Sequence, residues 1–327
     1  MAVISYIQAV TQALKEEMKR DEKVFVLGED VGKRGGVFRA TDGLYDEFGE
    51  DRVLDTPLAE SAIAGVGIGA AMYGMRPVAE MQFADFIMPA VNQIISEAAK
   101  IRYRSNNDWS APITIRAPYG GGVHGALYHS QSVEAVFANQ PGLKIVMPST
   151  PYDVKGLLKA SIRDNDPVLF FEHKRAYRLI KGEVPDEDYT LPIGKADVKR
   201  EGSDITVITY GLCVHFALQA AEKLAEEGID AHILDLRTVY PLDKEGIIEA
   251  ASKTGKVLLV TEDNKEGGII SEVSAIISEN CLFDLDAPVQ RLAGPDVPAM
   301  PYAPTMEKHF MMNPDKVEKA MRDLAEF

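Results

Sequence analysis

The stretch Thr56-Pro57-Leu58-Ala59-Glu60-Ser61-Ala62 predicts the start of a helix between two apolar runs of strand length. Thr56 is a residue type that caps helices, and Pro57 suits a first helical position because the backbone N–H there would have no partner. The helical pattern continues over residues 60–73, and a strand follows at residues 77–82. This succession of helix and strand is the local unit of an α/β fold.

The same alternation runs through the first half of the chain. Strands are predicted at residues 24–28, 77–82, 113–117, 144–147 and 168–172. Helices are predicted at residues 60–73, 87–104, 132–139 and 152–163. Short, nearly continuous apolar strands separated by helices are typical of parallel sheets that are covered on both faces. We therefore expect such a sheet here.

A polar stretch at residues 174–202 interrupts the alternation, and we interpret it as a linker between two domains, 1–190 and 191–327. The alternation then resumes. Strands are predicted at residues 205–210, 231–236, 257–261 and 289–292, with helices at 214–227, 243–252, 268–280 and from 314 onward. The chain is therefore expected to contain two α/β domains, as its length of 327 residues favours.

The composition excludes several classes of protein. The 35 basic and 50 acidic residues give a net charge of −15, which would repel a phosphate backbone, so nucleic-acid binding is not expected. Two cysteines, Cys213 and Cys281, are too few for a disulfide framework and favour a reducing compartment. No apolar run approaches the roughly 20 residues that span a bilayer. We therefore expect a cytoplasmic protein without membrane segments.

Glu60 is the candidate catalytic carboxyl of the quoted stretch. Among Leu58, Ala59 and Ile63 its side chain would be buried, and burial favours the protonated form of a carboxyl. A carboxyl that keeps or shares its proton can hydrogen-bond the ring nitrogen of a heterocycle. The alternative is structural, since acidic residues in first helical turns complement the helix dipole. These residues alone leave both interpretations open.

The stretch Gly65-Val66-Gly67-Ile68-Gly69-Ala70 contains the spacing Gly-x-Gly-x-x-Ala of a dinucleotide-binding turn. That turn requires a strand directly before the glycines and a helix that begins at them. Here the helix has already begun. We therefore interpret the stretch as a helix face without large side chains, suited to close packing, and a nicotinamide-dependent oxidoreductase as the weaker alternative.

Four segments, in matching order and spacing, resemble the beta subunits of thiamine diphosphate-dependent 2-oxo acid dehydrogenase complexes. They are the quoted stretch, Glu80-Met81-Gln82-Phe83-Ala84-Asp85-Phe86, Gly125-Ala126-Leu127-Tyr128-His129-Ser130-Gln131-Ser132 and Pro148-Ser149-Thr150-Pro151-Tyr152-Asp153. The resemblance covers essentially the whole chain, and its Tyr-His-Ser-Gln-Ser form is most similar to the branched-chain members. It implies an N-terminal pyrimidine-binding domain and a C-terminal domain like the last domain of transketolases.

The resemblance also implies roles for individual residues. Leu58, Glu60, Gln82 and Phe86 correspond to cofactor contacts, with Glu60 activating the aminopyrimidine ring and Phe86 packing against it. Some branched-chain members carry Tyr where this chain has Phe86, a difference that keeps the stacking and removes a hydroxyl. His129 corresponds to the active-site histidine, near the substrate carbonyl and the incoming lipoyl dithiolane. Glu60 and His129 are therefore the expected catalytic residues.

One half of the cofactor site is missing from the sequence. Thiamine diphosphate enzymes hold magnesium and the diphosphate through a Gly-Asp-Gly motif and a later Asn element, whereas Asn106-Asn107 has no such motif upstream and Asp42-Gly43 lacks the preceding glycine. An alpha subunit is therefore expected to supply these ligands in an alpha2-beta2 heterotetramer. Some relatives also bind potassium, which the resemblance places near Ile113, Ser161, Asp164 and Asp166.

The resemblance thus predicts the beta subunit of a branched-chain 2-oxo acid dehydrogenase, which decarboxylates 2-oxo acids oxidatively and passes the acyl group to a lipoyl group. The expected partners are the alpha subunit and a lipoyl acyltransferase core with its subunit-binding and lipoyl domains. The acidic chain end at Asp323, Glu326 and Phe327 is the candidate docking site for that core. A pyruvate or acetoin dehydrogenase beta subunit and a non-catalytic assembly subunit are the alternatives.

Overall fold

Each of two structural units is built around its own sheet. The computed structural model describes residues 1–327, and the first unit comprises Met1–Tyr119 and Val136–Ile193. The second unit comprises Gly120–Ala135 and Gly194–Phe327. The segment 120–135, which carries His129, therefore belongs to the second unit although it interrupts the first in sequence.

Strands and helices alternate along most of the chain. The strands are β1 (Ala2–Ser5), β2 (Val24–Gly28), β3 (Val53–Asp55), β4 (Arg76–Glu80), β5 (Thr114–Tyr119), β6 (Lys144–Val146), β7 (Val168–His173), β8 (Lys181–Val184), β9 (Asp197–Arg200), β10 (Ile205–Thr209), β11 (Ala231–Asp235), β12 (Thr238–Tyr240), β13 (Val257–Asn264) and β14 (Gln290–Gly294). The α-helices are α1 (Tyr6–Arg20), α2 (Leu44–Phe48), α3 (Glu60–Met72), α4 (Ile101–Arg104), α5 (Glu134–Ala138), α6 (Pro151–Arg163), α7 (Ala176–Leu179), α8 (Cys213–Ala225), α9 (Lys244–Thr254), α10 (Ile269–Asn280), α11 (Pro304–Phe310) and α12 (Pro314–Ala325). No helix combines the length and the apolar character that crossing a bilayer requires.

Six parallel strands of the first unit lie in one sheet, in the order β6-β7-β5-β4-β2-β3. Every residue of β2, β5 and β7 is buried. Strands that are buried on both faces must be covered by helices on both sides, which is the arrangement that parallel sheets require. The α/β fold with a parallel sheet is therefore confirmed.

Helix α1 shows how the sequence fixes one of the covering helices. Ser5 and Gln8 form a capping box, in which the Ser5 hydroxyl accepts from the Gln8 backbone N–H and the Gln8 side chain accepts from the Ser5 backbone N–H. The buried carboxylate of Glu17 accepts from the guanidinium of Arg163 in α6, at 2.5 to 3.1 Å. This pair links α1 to α6, which pack against each other.

The second unit contains a five-stranded sheet in the order β14-β13-β10-β11-β9. Its first four strands are parallel and correspond to the four predicted strands, whereas β9 is antiparallel to β11 at the edge. Residues 174–202, interpreted as a linker, contain α7, β8 and β9. Polar residues can form β8 and β9 because both are edge strands, whose backbone pairs with a neighbouring strand on one side and is hydrated on the other.

The single helix predicted for residues 87–104 is wrong. The chain forms a 3₁₀ helix at Ala84–Ala90, a π-helical segment at Asn92–Glu97, a second 3₁₀ turn at Ala98–Lys100 and only then the short α4. Pro89 lies inside the first of these segments. Because proline has no N–H to donate and its ring clashes with the preceding turn, a regular α-helix cannot run through it.

Candidate active site

The predicted cofactor residues of the first unit follow the carboxyl ends of two strands, β3 and β4. Strands β4, β2 and β3 are neighbours and parallel, so their carboxyl ends lie at one edge of the sheet. Glu60 follows β3, whereas Gln82 and Phe86 follow β4. Ligands of open α/β sheets bind outside this edge. The fold therefore brings Glu60, Gln82 and Phe86 to the same side of the sheet.

Helix α3 begins at Glu60 and not at Pro57. The predicted helix cap at Thr56 is wrong, because the Thr56 backbone N–H donates to the Gly28 carbonyl at 2.9 Å and so continues the pairing of β3 with β2. Ala59 precedes the helix, and no side chain caps it. The carboxylate of Glu60 therefore lies at the first helical turn, where backbone N–H groups lack partners within the helix.

The side chain of Glu60 is enclosed but has no partner. Glu60 is 8% exposed, yet its carboxylate forms no hydrogen bond or ion pair within the chain. Ile63 is buried as expected, whereas Leu58 is 76% exposed, so the predicted burial by Leu58 is wrong. The carboxyl of Glu60 is therefore available to a ligand.

A second carboxyl, Glu29, lies near Glu60 and is missed by the sequence analysis. Partial burial, followed by the charges of Glu60 and Asp30, raises the pKa of Glu29. The available signal is its position directly after the buried strand β2, at the edge where parallel sheets bind ligands. Glu29 and Glu60 therefore form a pair of carboxyl groups at the candidate site.

Phe86 and Gln82 both present accessible surface at this edge. The ring of Phe86 contacts Phe83 edge-on, with centroids 5.6 Å apart and an angle of 74° between the planes, and Phe83 contacts Phe38 at 5.4 Å. These contacts fix the Phe86 ring while leaving it partly exposed. Gln82 is also partly exposed, and its side-chain amide has no hydrogen bond within the chain. An aromatic face and an amide are therefore available to a ligand.

A buried ion-pair network joins β4, β5 and β7. Arg116 donates to Glu80 at 2.5 Å and to both oxygens of Glu172 at 2.6 and 2.7 Å, and Tyr177 donates to Glu172 at 2.6 Å. Burial raises the pKa of Glu80. Burial alone would lower the pKa of Arg116, but the charges of Glu172 and Glu80 together raise it by more, so the pKa of Arg116 is raised overall. This network was not predicted from the sequence, although charges inside otherwise apolar strands were its visible signal. It fixes the end of β4, directly before the Gln82 segment.

His129 lies in the second unit, in a turn that follows a short 3₁₀ helix at Ala126–Tyr128, and is partly exposed. A Cβ at Gly125 would lie 2.6 Å from the Cβ of His129, so this turn requires glycine. His124, for which the sequence indicates no firm role, forms an ion pair with the buried Glu307.

The predicted potassium site contains side chains that are already paired with cations. Its residues are Ile113, Ser161, Asp164 and Asp166. The Nζ of Lys144 lies 2.6 Å from Asp164 and 3.8 Å from Asp166, and the Nε of Arg102 lies 2.5 Å from Asp166. No group of three or more His, Cys, Asp or Glu side chains is arranged to hold a metal ion. The potassium site stays a prediction.

The residues at the strand edge fit one part of thiamine diphosphate, its aminopyrimidine ring. The unpaired carboxyl of Glu60 can hydrogen-bond a ring nitrogen, and the exposed part of Phe86 can pack against the ring. The free amide of Gln82 can donate or accept one further bond. These three side chains thus offer the groups that a flat, nitrogen-containing ring would contact.

Two family models match the chain: the transketolase pyrimidine-binding domain over residues 2–180 and the transketolase C-terminal domain over residues 194–317. The 2-oxoisovalerate dehydrogenase subunit beta of Bacillus subtilis (strain 168) is 84% identical over 327 residues, which is 100% of both chains. The pyruvate dehydrogenase E1 component subunit beta of the same strain is 50% identical, again over 100% of both chains.

A solved structure supports the fold independently. A split-gene transketolase, described as an inactive beta4 tetramer, superposes with a TM-score of 0.80 and 24% sequence identity, covering 99% of this chain and 98% of the other. This likeness concerns the fold alone. The two domain models and the full-length relatives show that the chain belongs to the beta subunits of thiamine diphosphate-dependent 2-oxo acid dehydrogenases. These subunits are built from a transketolase pyrimidine-binding domain and a transketolase C-terminal domain.

Proposed function

We propose that the chain is the beta subunit of a branched-chain 2-oxo acid dehydrogenase that acts on 2-oxoisovalerate and related substrates. The observation that carries this proposal is the 84% identity, over the full length, with a 2-oxoisovalerate dehydrogenase subunit beta. A pyruvate dehydrogenase beta subunit is the second candidate. It is less well supported, since that relative is 50% identical over the same 327 residues.

Glu60 is the proposed activating residue. Its enclosed carboxyl, without a partner in the chain, would hold a proton at a ring nitrogen of the aminopyrimidine. Phe86 would hold the plane of the ring by packing against it, and Gln82 would bond its polar edge. Leu58, which is exposed at the preceding turn, is the proposed apolar contact. Orientation and proton placement are the contributions that a protein makes to a cofactor reaction.

His129 is the proposed proton-transfer residue of the acyl-transfer step. Thiamine diphosphate supplies, when bound, the stabilisation of the carbanion that remains after loss of carbon dioxide. A histidine titrates near neutral pH and can therefore give or take a proton as the substrate carbonyl and the lipoyl sulfur change charge. The partly exposed position of His129 supports this role, because the lipoyl group must reach the site from outside.

An alpha subunit completes the site in this proposal. It would supply the ligands of magnesium and of the diphosphate, since the sequence carries neither of the corresponding motifs.

Potassium bound near Ile113, Ser161, Asp164 and Asp166 would have to coexist with the cationic partners of the two aspartates. The acyltransferase core, with its subunit-binding and lipoyl domains, is the proposed acceptor complex. The two cysteines, buried and free, support a reducing, cytoplasmic location.

Co-expression with an alpha subunit of a branched-chain 2-oxo acid dehydrogenase tests the proposal. The purified alpha–beta enzyme, supplied with thiamine diphosphate and magnesium, is expected to decarboxylate 2-oxoisovalerate faster than pyruvate at equal concentrations. The chain alone is expected to turn over neither. A preference for pyruvate would support the second candidate, and activity of the pure chain alone would contradict the shared site.

A further inference from the structure

Residues 120–135 form a closed loop in the second unit. The backbone N–H of Gly120 donates to the carbonyl of Gln131 at 3.0 Å, so the loop returns to its starting point. Within it, the side chain of Gln131 donates to the Leu127 carbonyl at 2.8 Å. The proposed catalytic residue His129 lies inside this closed part, so whatever holds the loop also holds His129.

Two buried carboxylates hold the first half of the loop. Glu262, in β13, accepts from the backbone N–H of Gly121 at 2.6 Å. Glu307, in α11, accepts from the backbone N–H of His124 at 3.2 Å and pairs with its ring. Backbone N–H groups bonded to carboxylates make comparatively strong hydrogen bonds. The first half of the loop is therefore fixed at two positions.

The second half of the loop ends at Glu134, which is only 1% exposed. The hydroxyl of Tyr210 donates to Oε1 of Glu134 at 2.9 Å and lies 2.7 Å from the hydroxyl of Thr261, from which it accepts. The other carboxyl oxygen of Glu134, Oε2, is buried without a hydrogen-bond partner. The hydrogen bond to Tyr210, which follows β10 and contacts Thr261 of β13, therefore ties the end of the loop to this sheet.

No basic group compensates Glu134 among the titratable groups that face it: Tyr210, Asp263, Glu262 and Cys213. Burial, followed by the charge of Asp263, raises the pKa of Glu134 to about 8. Burial raises the pKa of Asp263 to about 6, and it raises the pKa of both Tyr210 and Cys213 well above their ordinary values. Of these two carboxyl groups, Glu134 therefore keeps its proton to the higher pH.

We propose that Glu134 is a positioning residue for His129, and that it holds the end of the loop tightly only while it is protonated. A neutral carboxyl keeps the bond to Tyr210 without adding charge. An ionised carboxyl would bury a further negative charge beside Asp263 and Glu262, without a cation to balance it. Moving the end of the loop toward water relieves this repulsion. The link to His129 rests on the proposed function, whereas the anchoring does not.

A cavity beside the loop gives this movement room. Its volume is about 70 Å³, and it lies between Ser130, Gln131 and Ser132 of the loop and Glu262, Asp263 and Asn264 of the β13 end. A polar cavity of this size accommodates water. The end of the loop can therefore loosen without breaking the core of the second unit.

Hydrogen–deuterium exchange of residues 120–135 in the assembled alpha–beta enzyme tests the anchoring. Between the ordinary pKa of 4.5 and the raised value of about 8, opening of the loop releases a proton, so protection corrected for intrinsic exchange should fall by up to about tenfold per pH unit. Above about pH 8 it should level off. Glu134→Gln keeps an acceptor without a titratable proton and should lose the fall in protection that the wild type shows between about pH 6 and pH 8.

Two further variants make the outcome decisive. Glu279→Gln, on the exposed side of α10, should keep the wild-type profile. Tyr210→Phe removes the donor and should lower protection at every pH. A pH-independent profile in the wild type, or the wild-type profile in Glu134→Gln, would overturn the anchoring.

The link to His129 has its own readout, the rate at which the wild type and Glu134→Gln acylate a lipoyl domain as the pH rises toward 8. We expect the wild-type rate to decline relative to that of Glu134→Gln over the range in which protection falls. Parallel pH profiles would overturn the positioning role. Absence of acyl transfer in the wild type would instead contradict the proposed function.

Discussion

Glu29 and Glu60 are electrostatically linked at the carboxyl ends of β2 and β3: after partial burial, the charge of Glu60 is the next largest cause of the raised pKa of Glu29. Glu29 therefore keeps a proton more readily than an isolated glutamate does. In the proposed site, Glu60 thus has a second carboxyl group beside it. Sequence patterns identified only one member of this pair.

Replacing Arg116 should destabilise the first unit strongly. Arg116→Leu leaves the buried Glu80 and Glu172 without their common partner, and breaking a buried ion pair from one side costs about 3–5 kcal/mol. Chemical denaturation followed by circular dichroism should therefore show a clearly lower midpoint. Arg322→Leu, which removes a pair at the surface of α12, is the control and should change the midpoint little. Equal midpoints for Arg116→Leu and the wild type would exclude a structural role for the network.

The stability of the wild type should depend on the ionisation of Glu134. Its folded pKa of about 8 lies above the ordinary 4.5, so the folded state keeps a proton that the unfolded state loses. The associated stability is fully present below about pH 4.5 and is lost as the pH rises to about 8. In thermal unfolding, the Tm of Glu134→Gln should therefore rise relative to the Tm of the wild type as the pH increases across this range. A constant difference in Tm between the two would contradict the raised pKa.

Replacing His129 should impair acyl transfer more than cofactor binding. His129→Ala removes a proton-transfer group, whose contribution is typically about 100 to 10,000-fold in rate. The measurement is acylation of a lipoyl domain by the alpha–beta enzyme, together with the affinity for thiamine diphosphate. His309→Ala, an exposed histidine of α11, is the control. Wild-type acylation rates in His129→Ala would remove this residue from the mechanism.

Removing the last two residues should weaken binding to the acyltransferase core. Glu326 and Phe327 follow α12, and Phe327 is 69% exposed, so their deletion removes charge and apolar surface. Ala325 should be kept, because its carbonyl accepts from Lys256 at 2.9 Å. Calorimetric titration with the subunit-binding domain should show a weaker Kd, while decarboxylation by the alpha–beta enzyme persists. An unchanged Kd would refute docking at this end.

Much of the fold follows from local patterns in the sequence. Strands such as β2 and β7 are continuous apolar runs, and their burial on both faces of a parallel sheet is what such runs require. The start of α3 could not be predicted in the same way. Thr56 has the chemistry of a helix cap, but its backbone N–H is taken by Gly28 of a neighbouring strand. Tertiary pairing thus overrides a local preference.

The candidate site shows the same contrast between residues that local patterns identify and residues that depend on tertiary contacts. Glu60 and His129 lie in stretches with recognisable local chemistry, whereas Glu29, Arg116 and Glu134 gain their roles only from neighbours that are distant in sequence. Glu134 of α5, for example, meets Tyr210, which follows β10, and Asp263 of β13. The grouping of residues 120–135 with the second unit is also a long-range property, because it depends on contacts that no local pattern encodes.

If Glu60 activates the cofactor, as we propose, proton exchange at the thiazolium carbon in the assembled alpha–beta enzyme must depend on its carboxyl group. Glu60→Gln keeps the size and hydrogen-bonding capacity of the side chain but removes its acidic proton. Glu272→Gln replaces an exposed glutamate in the first turn of α10 and controls for the helix dipole, which is worth about 0.3–1 kcal/mol. We predict that exchange slows by orders of magnitude in Glu60→Gln and stays at the wild-type rate in Glu272→Gln. A near-wild-type rate in Glu60→Gln would contradict the account.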